Sequence, residues 1–168
     1  MGKEEKKEMD TGFIRERKSI GVEIDLKQFR RAKFKGSKTM LSHITKDSVT
    51  YSDLLLILIY VNGHWALVVG NMKDEIWEFY DSLPNPIHLR STHEVLKFVH
   101  EDIGRSLPAR VHEWSIIPVE GIPAQESGDD CGLFVLMFMK TTVSRKKCSW
   151  RKTQSWKKNA SISSGNYS

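Results

Sequence analysis

One cysteine stands where a thiol could act as a nucleophile. Cys131 follows Asp129-Asp130 and opens the apolar run that ends at Met139. A thiol at a helix N-terminus faces the positive end of the helix dipole, which favours the thiolate. Asp130 is placed to be the N-cap of such a helix. A nucleophilic cysteine also needs a base and a group that orients the base. His64 follows the turn dipeptide Asn62-Gly63 at the start of a strand-like run, where a side chain can project into a cleft. Asp81 ends the next run, after Phe79-Tyr80, and a carboxylate there can accept a hydrogen bond from an imidazole on a neighbouring strand. Gln125 precedes Cys131 by 6 residues, in a loop, and its amide could donate to a developing oxyanion. Each residue has an ordinary alternative. Cys131 could be a buried structural cysteine, His64 one of 6 unremarkable histidines, Asp81 a cap on the turn at Ser82, and Gln125 a solvated loop residue.

The elements that must position these groups are legible in the hydropathy. Leu54 to Val61 is a continuous apolar run of 8 residues, bounded by Asn62-Gly63. His64 to Gly70 is apolar and β-branched; Asn71 to Asp74 reads as a polar turn, and Ile76 to Tyr80 as a further strand. Together they predict an antiparallel meander whose first two strands are buried on both faces. Leu83-Pro84-Asn85-Pro86 breaks the pattern. Ser91-Thr92-His93-Glu94 fits a capping box ahead of an apolar stripe at Val95, Val99 and Ile103, which predicts a helix from about Thr92 to Arg105. Trp114 to Val119 reads as a strand, Gly121 to Asp130 as a loop, and Cys131 to Met139, apolar all round, as a buried central helix. Gly21 to Ser37 alternates weakly through Val22, Ile24 and Leu26 and allows a short strand or helical turn.

The chain of 168 residues has 39% apolar and 28% charged residues, which suffices for one core and argues against full disorder. Its net charge of +5 is unevenly spread. Residues 1–38 carry 12 Lys/Arg against 7 Asp/Glu, residues 39–139 carry 6 against 14, and residues 140–168 carry 8 against none. The expected organisation is a basic, poorly ordered segment 1–38, a catalytic domain 39–140 and a basic low-complexity tail 141–168. Basic ends can serve nucleic-acid contact or nuclear import, or simply be solvated. They carry no nucleic-acid reader motif. The 2 cysteines, Cys131 and Cys148, exclude a disulfide-rich scaffold, and no C-x-x-C is present to hold structural zinc. No run approaches the roughly 20 residues that cross a bilayer, and the N-terminus has no apolar signal region. The expectation is a soluble intracellular protein, in nucleus or cytoplasm, with reduced thiols and no cofactor or metal.

Three words occur in order: Gly63-His64-Trp65, Tyr80-Asp81-Ser82-Leu83, and Gln125-Glu126-Ser127-Gly128-Asp129-Asp130-Cys131-Gly132. They closely resemble the Ulp/SENP family of SUMO-specific cysteine proteases, which shows a G-H-W word, a Y-D-S-L word and a Q-x-N/S-G-x-D-C-G word. The separations, 17 residues from His64 to Asp81 and 6 from Gln125 to Cys131, are similar to the family's. The resemblance covers roughly Asp53 to Met139. It implies Cys131 as nucleophile, His64 as general base, Asp81 as its orienting group and Gln125 in the oxyanion hole. Trp65 would lid a narrow channel for a C-terminal diglycine, a width that would exclude side chains. It implies an α+β papain-like fold, a mixed sheet packed on a central helix bearing the cysteine. The implied partner is SUMO or another ubiquitin-like modifier with its conjugates, and the implied reaction is precursor maturation or deconjugation.

Only 63 residues precede His64, with no tryptophan before Trp65, and a basic tail follows Met139 where the family continues with helices. The expectation is therefore a catalytic segment truncated at both ends. Its alternative function is that of a weakly active or inactive homologue that binds a modifier or partner without cleaving it.

Overall fold

The three apolar runs become the centre of a five-stranded sheet. The computed structural model describes residues 16–34, 41–108, 110–126 and 128–144. The strands are β1 (Ser19–Asp25), β2 (Leu54–Val61), β3 (His64–Asn71), β4 (Ile76–Tyr80) and β5 (Ile116–Pro118), in that spatial order. β2, β3 and β4 form the expected antiparallel meander. β1 adds to β2 and β5 to β4, both parallel, which makes the sheet mixed. Asn62 and Gly63 take φ of 51° and 81°, the left-handed pair that a two-residue hairpin turn requires.

Among the described residues four helices accompany the sheet: α1 (Leu26–Phe34), α2 (Lys46–Thr50), α3 (Pro86–Ile103) and α4 (Cys131–Ser144). Strand alternation sends side chains to opposite faces. Leu55, Ile57 and Ile59 of β2, with Ala66 and Val68 of β3, meet Leu26 and Phe29 of α1 and Val95, Val99 and Ile103 of α3 on one face. Leu54 and Leu56 of β2, with Leu67 and Val69 of β3, meet Phe134, Val135 and Phe138 of α4 on the other. A sheet covered on both faces explains why β2 and β3 read as continuous apolar runs. No helix among the described residues is long and apolar enough to cross a membrane.

Three elements differ from their sequence reading. The helix expected from Thr92 begins at Pro86. Its N-cap is Asn85, whose side chain accepts from the Ile87 amide at 2.9 Å, with Pro86 in the first turn. Proline suits that position because its missing N–H has no intrahelical acceptor to lose. Ser91 and Glu94 therefore lie inside the helix, and Glu94 instead accepts from Arg30 Nε at 2.7 Å, tying α3 to α1. The strand expected over Trp114 to Val119 shortens to Ile116–Pro118. Trp114 leaves the ladder to pack on Trp77, ring centroids 5.6 Å apart, after a single 3₁₀ turn at Val111–Glu113. The cysteine helix runs past Met139 to Ser144, with Thr141 and Thr142 hydroxyls donating back to the carbonyls of Met137 and Phe138.

β1 and α1 fall within the segment that composition set apart as residues 1–38. They are ordered by long-range contacts that composition does not register. Ile24 of β1 is fully buried, and at the head of β1 and β2 the Lys18 amide donates to Asp53 Oδ2 while the Asp53 amide donates to the Lys18 carbonyl. The basic, poorly ordered ends expected over residues 1–15 and 145–168, and the second cysteine Cys148, lie outside the described residues.

Candidate active site

α4 and β3 place Cys131 and His64 at the same end of the sheet. The Arg17 amide donates to the Val143 carbonyl at 3.0 Å, so the C-terminal end of α4 lies beside the start of β1. β1 starts level with the start of β2, and Leu54 of β2 pairs with Asn71, the last residue of β3. The opposite end of α4 therefore lies toward the start of β3, which is His64. The lengths agree: a 14-residue helix spans about 21 Å, and an 8-residue strand about 26 Å. Asp81 follows the last residue of β4, at that same end, because Tyr80 pairs with Leu67. The Gln125 amide donates to the Ser82 carbonyl at 2.8 Å and brings the loop before α4 to the same rim.

The rim residues are held by specific contacts. His64 Nε2 lies 2.7 Å from Asp81 Oδ1, and both side chains are buried. The Leu83 amide donates to the same Oδ1 at 2.9 Å. His88, in the first turn of α3, places Nδ1 2.8 Å from Asp81 Oδ2. Its ring stacks on that of His64, centroids 4.4 Å apart and planes 9° from parallel. Burial pushes the Asp81 carboxyl up, but the hydrogen bonds from His64, the Leu83 amide and His88 outweigh it and hold the group below its ordinary value. An ionised carboxylate only accepts, so both imidazoles donate to it. His64 thus presents an N–H at Nε2 to Asp81, which makes Nδ1 the ring nitrogen available to act as the base.

Gln125 is buried and its Oε1 accepts from Ser82 Oγ at 2.7 Å. That contact turns the carbonyl end of the amide toward Ser82, so the NH₂ end is the donor end. Cys131 is buried at the head of α4, where the Asp130 carbonyl accepts from the amides of Leu133 and Phe134, as an N-cap carbonyl does. Trp65 faces the α4 side of β3, half-buried, its ring 4.8 Å from that of Tyr60. Behind it Tyr80 packs on Phe138, and burial pushes its hydroxyl up to about 12.

The five residues singled out in the sequence lie toward one end of the sheet, and one hydrogen bond joins two of them directly, His64 to Asp81. Among the described residues no hydrogen bond joins Cys131 to His64. His64 extends the alternation of Ala66 and Val68 and leans toward α3, whereas α4 covers the other face. Catalytic hydrogen bonds are often long in unliganded sites and tighten when substrate binds.

Sequence reasoning missed His88 and gave Ser82 no role beyond the turn. The signal for His88 was Asn85-Pro86, an N-cap followed by a first-turn proline, which puts His88 on a helix directly after the strand end at Asp81. The ligating atoms of His64, Asp81 and His88 lie within 4.8 Å of one another and could hold a cation. Both ring nitrogens that would serve already have the carboxylate as hydrogen-bond partner.

Comparison with known proteins gives the same region. A family profile described as the Ulp1 protease family, C-terminal catalytic domain, matches residues 16–158. Human Sentrin-specific protease 5 is 33% identical over 89 residues, which is 52% of this chain and 12% of that protein. Ubiquitin-like-specific protease 1A of Arabidopsis thaliana is 31% identical over 88 residues, 52% of this chain and 18% of that protein. The chain thus spans a small share of the curated relatives it matches. A solved structure of SUMO protease Ulp1 with the catalytic cysteine oxidized to a sulfenic acid superposes with a TM-score of 0.53 at 19% identity, covering 77% of this chain and 60% of that one. That likeness is one of fold, and it agrees with the α+β arrangement of a mixed sheet on a cysteine-bearing helix.

Proposed function

We propose, from the premise that this chain belongs to the Ulp1 protease family, that it is a cysteine peptidase and isopeptidase. It cleaves after the C-terminal diglycine of SUMO or a related ubiquitin-like modifier. The observation that carries the reading is the Asp81 carboxylate held 2.7 Å from His64 Nε2 at the end of the sheet where Cys131 opens its helix. The names of the relatives, sentrin-specific and ubiquitin-like-specific proteases, support the substrate class.

The chemistry follows from the tautomer. His64 Nδ1 takes the Cys131 proton, and the thiolate attacks the carbonyl carbon of the terminal glycine. Negative charge moves to the carbonyl oxygen, toward the Gln125 amide and the N–H groups of the first turn of α4, which a helix leaves without intrahelical acceptors. The imidazolium, stabilised by Asp81, protonates the leaving amine as the C–N bond breaks and a thioester remains. Water then gives a proton to His64 and adds to the thioester, which releases the modifier carboxylate and returns the thiol. Trp65 lids the channel in which the diglycine lies. The basic residues that flank the acidic centre support a nuclear location.

A panel of modifier–fluorophore fusions tests this. Release from a SUMO-type fusion, abolished by Cys131→Ser and reduced about 10²- to 10⁴-fold by His64→Ala, is the expected result. No release from any fusion, together with no labelling of Cys131 by a diglycine electrophile on a modifier C-terminus, would overturn it. Capture of a modifier without cleavage would make the chain a binding homologue.

A further inference from the structure

The geometry points to His88 as a positioning residue that locks the Asp81–His64 pair in its working orientation, an inference that rests on the protease reading. The chemistry above uses Oδ1 of Asp81 and says nothing of Oδ2. In a buried site that second oxygen needs a donor of its own, and His88 Nδ1 supplies it at 2.8 Å. His64 and the Leu83 amide occupy Oδ1 and His88 occupies Oδ2, so donors on both oxygens fix the plane of the carboxylate. Rotation that would turn Asp81 away from His64 breaks at least one of them.

The ring of His88 does a second thing. Its face lies 4.4 Å from the His64 ring at 9°. A nearly parallel stack resists tilting of the His64 ring out of its plane and leaves rotation within that plane. Nε2 is already tethered, so Nδ1 is held to a narrow arc at the rim of the sheet. General-base catalysis is sensitive to that arc, since a misplacement of about 1 Å can cost 10²-fold.

The position of His88 is itself well supported. It lies in the first turn of α3, its amide donates to the Asn85 carbonyl at 2.9 Å, and Thr92 Oγ1 donates to its carbonyl at 3.0 Å. Its side chain is buried on the α3 side of the sheet, while Trp65 and the cysteine helix lie on the other. A residue so placed affects turnover without touching the modifier.

Three variants of the full chain separate positioning from a merely structural role. His88→Leu removes the donor, His88→Asn puts an amide nitrogen near the place of Nδ1, and His88→Gln displaces that nitrogen by one methylene. With a SUMO–fluorophore fusion, His88→Leu is expected to lower kcat about 10- to 100-fold with KM within about twofold. His88→Asn should recover most of the loss and His88→Gln little of it. Without substrate, the Nε2–H proton of His64, observed by NMR of nitrogen-15-labelled protein, should be protected from exchange in the wild type and in His88→Asn but not in His88→Leu. Thermal unfolding of each variant identifies any that fails to fold, and if His88→Leu does, the Asn and Gln pair decides. Wild-type kcat and an unchanged His64 signal in the folded Leu or Gln variant would overturn the proposal. A wild-type chain that cleaves no fusion and is not labelled at Cys131 by a diglycine electrophile would overturn the protease reading instead, while the His64 proton still reports whether His88 holds that ring.

Discussion

At the scale of residues, Asp81 is the hinge of the site. It is buried yet ionised, because three donors outweigh the cost of burial. Its native value lies below the ordinary 3.8, so the stability it contributes is full above pH 3.8 and is lost as pH falls through the native value. Replacing Asp81 with Asn removes acceptors from buried donors and should cost about 2 kcal/mol at neutral pH. The difference between wild type and variant should shrink as acid protonates Asp81 in the wild type. Urea denaturation at neutral and at strongly acidic pH measures both values. A constant difference would mean that Asp81 binds its proton equally well in the native and the unfolded chain. The words around Asp81 were legible in the sequence, whereas its second histidine was not. His88 is 7 residues from Asp81 in the chain and becomes its partner only through the packing of α3 against the sheet.

At the scale of elements, the start of α3 decides where that histidine goes. Two caps compete in the sequence, Ser91 with Glu94 and Asn85 with Pro86. The structure uses Asn85. Asn85→Ala should therefore destabilise the fold by about 1 kcal/mol. Ser91→Ala, in the helix interior, should cost less than that because alanine has the higher helix propensity. Chemical denaturation midpoints of the two variants check the order, and a larger loss for Ser91→Ala would return the cap to Ser91. The capping-box pattern misled because local spacing alone cannot tell a first turn from a second. What settles it is how much of the helix can be buried: starting at Pro86 adds His88 to the buried stripe of Val95, Val99 and Ile103.

At the scale of the whole molecule, α4 is fixed to the sheet through one apolar layer. Phe138 is fully buried there, between Tyr80, 5.5 Å away by ring centroids, and Phe134 at 6.2 Å. Phe138→Ala should destabilise the protein by about 3–5 kcal/mol, a large share of the 5–15 kcal/mol typical of a domain. Because that layer also aims Cys131 at the rim, labelling of Cys131 by a diglycine electrophile should fall in parallel with the folded fraction. Denaturant unfolding and mass spectrometry of the labelled chain measure the two. Full labelling by a variant that has lost this stability would show that the cysteine helix is held by something other than this layer.

Sequence alone determined the central meander and the cysteine helix. Each of these is written locally. Leu54 to Val61 and His64 to Gly70 are apolar on both faces, Asn62-Gly63 suits a left-handed turn, and the run after Cys131 is apolar all round. Tertiary structure decided the rest. β1 exposes much of its surface, and its parallel pairing with β2 depends on a neighbour 35 residues away, as with Ser19 opposite Leu54. β5 has 3 residues and exists only beside β4. The stacking of His88 on His64 and the turning of the Gln125 amide by Ser82 likewise join groups far apart in the chain. Local propensity carries no information about such partners, because the free energy that selects them comes from surface and polar groups buried only once distant segments have met.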